Sequence, residues 1–177
     1  MVTHLVMTVL GDDRPGIVRS IADQVAAAGG NWLESRMAHL AGKFAGIVLV
    51  AVHEPQTERL VAALRSLDTQ GLRVLVEPSG TAHLSSGARV LALELIGPDR
   101  PGIVREVSQA LAERGVGIEE LATEVVSGSW SGESLFKASA RLSVPRTVST
   151  EALRHALGKV SNDLGVDLRL EERAAPA

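Results

Sequence analysis

Apolar residues alternate along positions 2–10, with Leu5, Met7 and Val9 on one side, which predicts a strand buried on one face. Ile17, Ile21, Val25 and Ala28 then fall at helical spacing, and Gly29-Gly30 stops the run. Pro15 is expected in the first turn of this helix, where its missing N–H costs nothing. A second strand is predicted from Asn31 to about Leu40, then a tight Ala41-Gly42 turn. The run from Phe44 to Val52 is apolar enough for the middle of a sheet. Leu60, Leu64 and Leu67 give a second helix its buried stripe, Gly71 closes it, and Leu72, Val74 and Val76 form a last strand.

The series then begins again. Gly11-Asp12-Asp13-Arg14-Pro15-Gly16-Ile17-Val18-Arg19 recurs as Gly97-Pro98-Asp99-Arg100-Pro101-Gly102-Ile103-Val104-Arg105, an offset of 86 residues with eight of nine positions identical. In the second copy a strand at 88–96 leads to a helix carrying Ile103, Val107 and Leu111, stopped by Gly115. A hairpin with a longer turn, Ser127 to Gly132, follows, and its returning strand alternates through Phe136, Ala138, Ala140, Leu142 and Val144. Ser149 or Thr150 can cap a last helix carrying Leu153, Leu157, Val160 and Leu164, before a strand with Val166, Leu168 and Leu170. A period this long is a whole small domain used twice, not a solenoid repeat. The expected organisation is a first domain at 1–78, a linker at 79–87, a second domain at 88–172 and a tail at 173–177. Strand-helix-strand-strand-helix-strand is the ferredoxin-like (βαββαβ) arrangement, of α+β class, with antiparallel sheets and helices on one face. The other face of each sheet is left for a partner, and a dimer is the expected state.

Composition narrows the function. The formal net charge is −3 and aromatics make up only 2%, so neither phosphate neutralisation nor base stacking is expected, and direct nucleic-acid binding is not. There is no Cys, which removes disulfides, thiolate metal sites and cysteine nucleophiles. No apolar run reaches the ~18 residues of a membrane span and no signal-peptide layout opens the chain, so a cytoplasmic location without membrane contact is expected. Gly128-Ser129-Trp130-Ser131-Gly132 has Trp where a nucleophile elbow needs Ser, and Gly115-Val116-Gly117 lacks the third glycine of a dinucleotide fingerprint. The five histidines, His4, His39, His53, His83 and His155, have no ligand spacing on one element. No catalytic residue, metal site or cofactor is therefore assigned. Glu119-Glu120 and Glu171-Glu172-Arg173 read as solvated. Trp32 reads as core or interface, and Trp130 as a partner contact or a tip packed on its own sheet.

The repeated loop carries what chemistry there is. A helix N-terminus offers unpaired N–H groups and a positive dipole end, a place for a carboxylate without any charged side chain. Gly16 and Gly102 leave the first turn bare, so a ligand can approach the backbone. Asp13 and Asp99 either answer a ligand's ammonium group or cap their own helices. Arg14 and Arg100 read as solvated or paired with an acid.

On these residues, the loop motif used twice between a strand and a helix, the chain resembles tandem ACT-domain proteins, in particular the glycine cleavage system transcriptional repressor group. The resemblance spans residue 2 to about 172. It implies a regulator that binds an amino-acid effector at a module interface against the first loop. The implied contacts are Asp13, Arg14, Pro15, Gly16, Ile17 and Val18, then Asp99, Arg100, Pro101, Gly102, Ile103 and Val104. Asn31 matches an Asn often found at the start of the second strand of such modules. Gly117 stands at that position in the second copy, so the two sites are not expected to be equal. The resemblance also implies action through protein contacts, in a homodimer or with a transcription factor or enzyme. The alternative is an oligomerisation module whose ligand sites stay vacant.

Overall fold

The alternation that opens the chain forms β1 (Val2–Asp12), whose Leu5, Met7 and Val9 are fully buried. The chain continues through α1 (Ile17–Ala27), β2 (Asn31–Leu40), β3 (Lys43–His53), α2 (Thr57–Ser66) and β4 (Leu72–Pro78). The same order recurs as β5 (Arg89–Pro98), α3 (Ile103–Ala112), β6 (Gly117–Ser127), β7 (Ser134–Val144), α4 (Thr150–Leu164) and β8 (Asp167–Glu172). The computed structural model describes residues 1–79, 88–127 and 132–172. Nearly all of the expected linker, most of the Ser127–Gly132 turn with Trp130, and the tail lie outside the described residues. The chain divides into two units, Met1–Ala82 and His83–Ala177.

Each unit is one four-stranded antiparallel sheet, ordered β2-β3-β1-β4 in the first and β6-β7-β5-β8 in the second. This is the tandem ferredoxin-like, α+β architecture expected from the strand and helix order. In the first unit Ile17, Ile21 and Val25 of α1 and Leu60 and Leu64 of α2 cover Val48, Val50 and Val52 of β3. In the second, Ile103, Val107 and Leu111 of α3 and Leu153 and Leu157 of α4 do the same over Leu91, Leu142 and Val144. No polar or charged side chain is buried in either core among the described residues. Trp32, Met37 and Phe44 close the first core as partly buried packing.

Local signals explain the boundaries. Ala41 and Gly42 both take positive φ (48° and 75°), the pairing a two-residue hairpin turn demands. Ser149 caps α4 by accepting a 3.1 Å hydrogen bond from the Ala152 amide. Both second strands are bulged at equivalent places, between Trp32 and Glu34 and between Ile118 and Glu120. Three acids expected to be solvated are ion-paired instead. Glu119 and Glu120 hold Arg141 at 2.9 and 3.0 Å, because the bulge brings both carboxylates to one guanidinium. Glu172 accepts from Arg89 at 3.2 Å, drawing β8 to the edge of the α4 cap.

Candidate functional site

In each unit the first strand ends in an Asp-Arg-Pro-Gly bend that enters a helix. The bend is tied to the neighbouring hairpin: the Asp13 amide donates to the Gly42 carbonyl at 2.9 Å, and the Asp99 amide to Ser134 at 2.9 Å. Gly16 then adopts φ 92°, ψ −1° and Gly102 φ 95°, ψ −5°. Proline followed by a glycine with these angles is the residue pair of a type II turn. The helices therefore start at Ile17 and Ile103, and Pro15 lies in the bend, not in the first helical turn as its spacing suggests. The left-handed angle at Gly16 forces the difference, since it cannot belong to a right-handed helix.

Neither helix carries a side-chain cap. Asp13 and Asp99 thus do not cap their own helices, because the glycine occupies the N-cap position three residues later. The first intrahelical bonds are Ser20 N–H to Gly16 O (2.9 Å) and Glu106 N–H to Gly102 O (3.0 Å). The amides of residues 17–19 and 103–105 precede these bonds and form the positive helix end. No acidic residue stands in the first turn of α1, whereas Glu106 stands in that of α3. Glu106 therefore offsets part of the positive helix end in α3, with no counterpart in α1. A Cβ built on Gly16 or Gly102 meets no atom within 4 Å among the described residues, so the space above each bend is open. The positive φ, not a close contact, is what requires glycine there.

The earlier glycine of each loop has the opposite reason. A Cβ on Gly11 would stand 2.8 Å from the Gly71 carbonyl oxygen, and one on Gly97 would stand 2.8 Å from the Val166 Cα. These glycines let the first strand close on the last strand directly beneath the bend. Sequence reasoning found the motif but assigned them no role.

The proposed contacts separate into groups. Asp13, Arg14, Pro15, Gly16, Asp99, Arg100, Pro101 and Gly102 are exposed. Val18 and Val104 are 46% and 45% exposed beside the bends, while Ile17 and Ile103, at 2%, are core anchors offering only backbone. Arg14 reaches across to donate to the Gln70 carbonyl at 3.1 Å, pinning the bend to the segment before β4. Asn31 is not brought to the bend of its own unit. It pairs with Ala51 at one end of the sheet, while Gly11 pairs with Phe44 at the other. Seven residues of β3 separate those ends, roughly 24 Å at strand rise. Gly117 lies at the corresponding far end of the second sheet.

What does reach the first bend is the β2–β3 turn. His39 Nδ1 lies 3.7 Å from an Asp13 carboxylate oxygen, and Lys43 hydrogen-bonds Asp12. That hydrogen bond, with the lysine charge, holds the Asp12 carboxyl below its ordinary pKa. Pro98 replaces Asp12 in the second unit, so the pair has no counterpart there. The two-residue Ala41-Gly42 turn sets the Leu40–Lys43 and His39–Phe44 pairs, and the separate Gly11–Phe44 pairing of β1 with β3 carries both residues to the bend. No grouping of three or more His, Asp or Glu suited to a metal exists among the described residues.

The ACT domain profile matches residues 3–77 and 89–171, one match on each unit. The chain belongs to the ACT-domain family. ACT domains are regulatory modules that bind small molecules, and this chain carries two of them. Over 98% of its length the chain superposes on all of an unknown protein from Galdieria sulphuraria, at 33% identity and a TM-score of 0.89. It also matches, over 99% of both chains, a protein provisionally named a glycine cleavage system transcriptional repressor. That likeness (22% identity, TM-score 0.75) is one of fold. A single ACT domain's length, 74 residues, is 36% identical to the UPF0237 protein MK1213 of Methanopyrus kandleri, covering 42% of this chain and 77% of that protein. No helix among the described residues is long and apolar enough to cross a membrane.

Proposed function

We propose that the protein is a non-enzymatic, cytoplasmic regulator that binds an amino acid at its Asp-Arg-Pro-Gly bends. The ligand carboxylate takes the free amides that open α1, and its ammonium group faces Asp13. The observation that carries this reading is that both helix ends are left without a side-chain cap and open to solvent. Occupancy biases contacts with other proteins, a second copy or a transcription factor or enzyme. A coupling of ~1–3 kcal/mol is enough to switch such a contact. The net charge of −3 favours regulation through a protein partner over direct binding to DNA.

One observation favours a second reading for the second bend alone. Glu106 already sits in the first turn of α3 and opposes an incoming carboxylate, so that bend serves folding and stays vacant. Isothermal titration against a panel of amino acids tests both readings. Two sites per chain, one lost with Gly16→Val and the other with Gly102→Val in folded variants, is the result the first reading expects, and one site indifferent to Gly102→Val is the result of the second. Silence across the panel overturns the sensor reading.

A further inference from the structure

The two units share one topology and register, yet their cores are not filled alike. In the first unit Trp32 and Met37 of β2 pack against the core. Met37 lies across from Gly46, where a Cβ would stand 2.6 Å from the methionine Cγ. The repeat sets Ile118 in the place of Trp32 and Thr123 in the place of Met37. Strand register sets Ala140, opposite Leu93, in the place of Val48, opposite Met7. Each of the three replacements is smaller. A cavity of about 60 Å³ lies here, between α3 and strands β5, β6 and β7. Val104, Val107, Leu111, Ile118, Leu121 and Phe136 form much of its wall. Leu121 and Ala138, larger than the Ser35 and Gly46 they replace, line the space without closing it. Among the lining residues only Ser108 carries a polar side chain, and its hydroxyl already donates to the Arg105 carbonyl at 3.0 Å. Water needs two or more polar partners to settle in such a space, so the cavity suits an apolar guest.

We infer that this cavity takes the branched aliphatic side chain of an amino acid held at the second bend, so that this bend selects valine, leucine or isoleucine. The inference rests on the reading in which both bends bind an amino acid. Ile103 and Val104 open α3 directly after Gly102 and also form part of the cavity wall, so a ligand seated on the bend has the cavity beside it. Phe136 marks the same end, since it pairs with Gly97 in the strand that leads to the bend. Val104, Ile118 and Leu121 are 45%, 38% and 48% exposed, so the mouth is apolar and open to solvent. A water-sized group needs about 10–15 Å³, which leaves room for about four of them, the size of these side chains. A cavity of about 150 Å³ is what holds a benzene ring, so phenylalanine is too large. Serine or aspartate would surrender its water and find no hydrogen-bond partner in return. Aliphatic burial also offsets what Glu106 takes from the positive end of α3. Trp32 and Met37 occupy the corresponding place in the first unit, so the preference belongs to the second bend alone.

Isothermal titration of the full chain with valine, leucine, isoleucine, alanine, serine and phenylalanine tests it, with circular dichroism to confirm that each variant folds. At the site lost with Gly102→Val, leucine should bind about tenfold or more tighter than alanine. Serine and phenylalanine should show no such gain. Ala140→Val and Ile118→Trp each install the first unit's residue, and each should bring leucine down to the affinity of alanine. Either variant answers the question if the other fails to fold. Leucine and alanine bound equally at the second bend, or a preference that survives both fillings, overturns this inference alone. One site indifferent to Gly102→Val does the same. Silence from every amino acid overturns the bend reading and this inference with it.

Discussion

Replacing Gly97 by alanine places a methyl group 2.6 Å from Val166 Cγ1 and 2.8 Å from the Val166 Cα. Rotating the valine relieves the first contact. The second involves backbone, so β5 and the segment entering β8 must move apart by several tenths of an ångström. Overpacking of this kind costs about 1–3 kcal/mol. In a unit of under a hundred residues each kcal/mol lowers the melting temperature by about 4–8 °C, so a loss on the order of 10 °C is expected. Gly102→Asn supplies the contrast. Its Cβ meets nothing within 4 Å, and its strain comes only from a φ of 95°. Asparagine tolerates that region, so the cost should stay below about 1 kcal/mol. Differential scanning calorimetry of the two variants and the wild type reads both effects as shifts of the second unit's transition. If Gly97→Ala melts with the wild type, or if Gly102→Asn is the more damaging change, the division of labour between the two glycines is wrong.

Other outcomes follow from single contacts. Ser149→Ala removes the cap on Ala152 and should destabilise the second unit by ~1 kcal/mol in denaturant titration. Leu64→Ala, at a fully buried site in the first core, should cost about 2–5 kcal/mol, with the second unit's transition unmoved in calorimetry. The Asp12 carboxyl should titrate below the ordinary aspartate range by NMR, and Lys43→Met should return it there. Because the folded pKa is the depressed one, the small stabilisation from the pair is present above the ordinary aspartate pKa and fades as pH falls through the folded value.

The fold was legible wherever one face of an element meets the core. Leu5, Met7 and Val9 announce β1 because burial punishes any polar residue on that side, and the β2 limits of Asn31 and Leu40 follow from the turns that flank it. β6 is exposed along nearly all its length and lacks that constraint, so its placement came from the repeat. The bulges at Leu33 and Glu119 left no pattern, because one extra residue in an exposed edge strand costs no burial. At the candidate site the motif was visible and its geometry was not. The spacing of Pro15 suggested a helical turn, whereas the conformation of Gly16 decides that the helix waits until Ile17. Asn31 came only from the resemblance, and strand register puts it at the end of the sheet away from the bend of its own unit. His39 and Lys43 reach the bend only through pairing between β1 and β3, a long-range fact with no local signature.

The single amide that fastens each bend to its hairpin, Asp13 in one half and Asp99 in the other, has a practical consequence. Opening of that tether exposes one N–H to solvent exchange, and the amino acid proposed for the bend would hold it shut. Exchange at those two residues therefore counts the occupants of the two halves separately, in one sample and without any label on the guest.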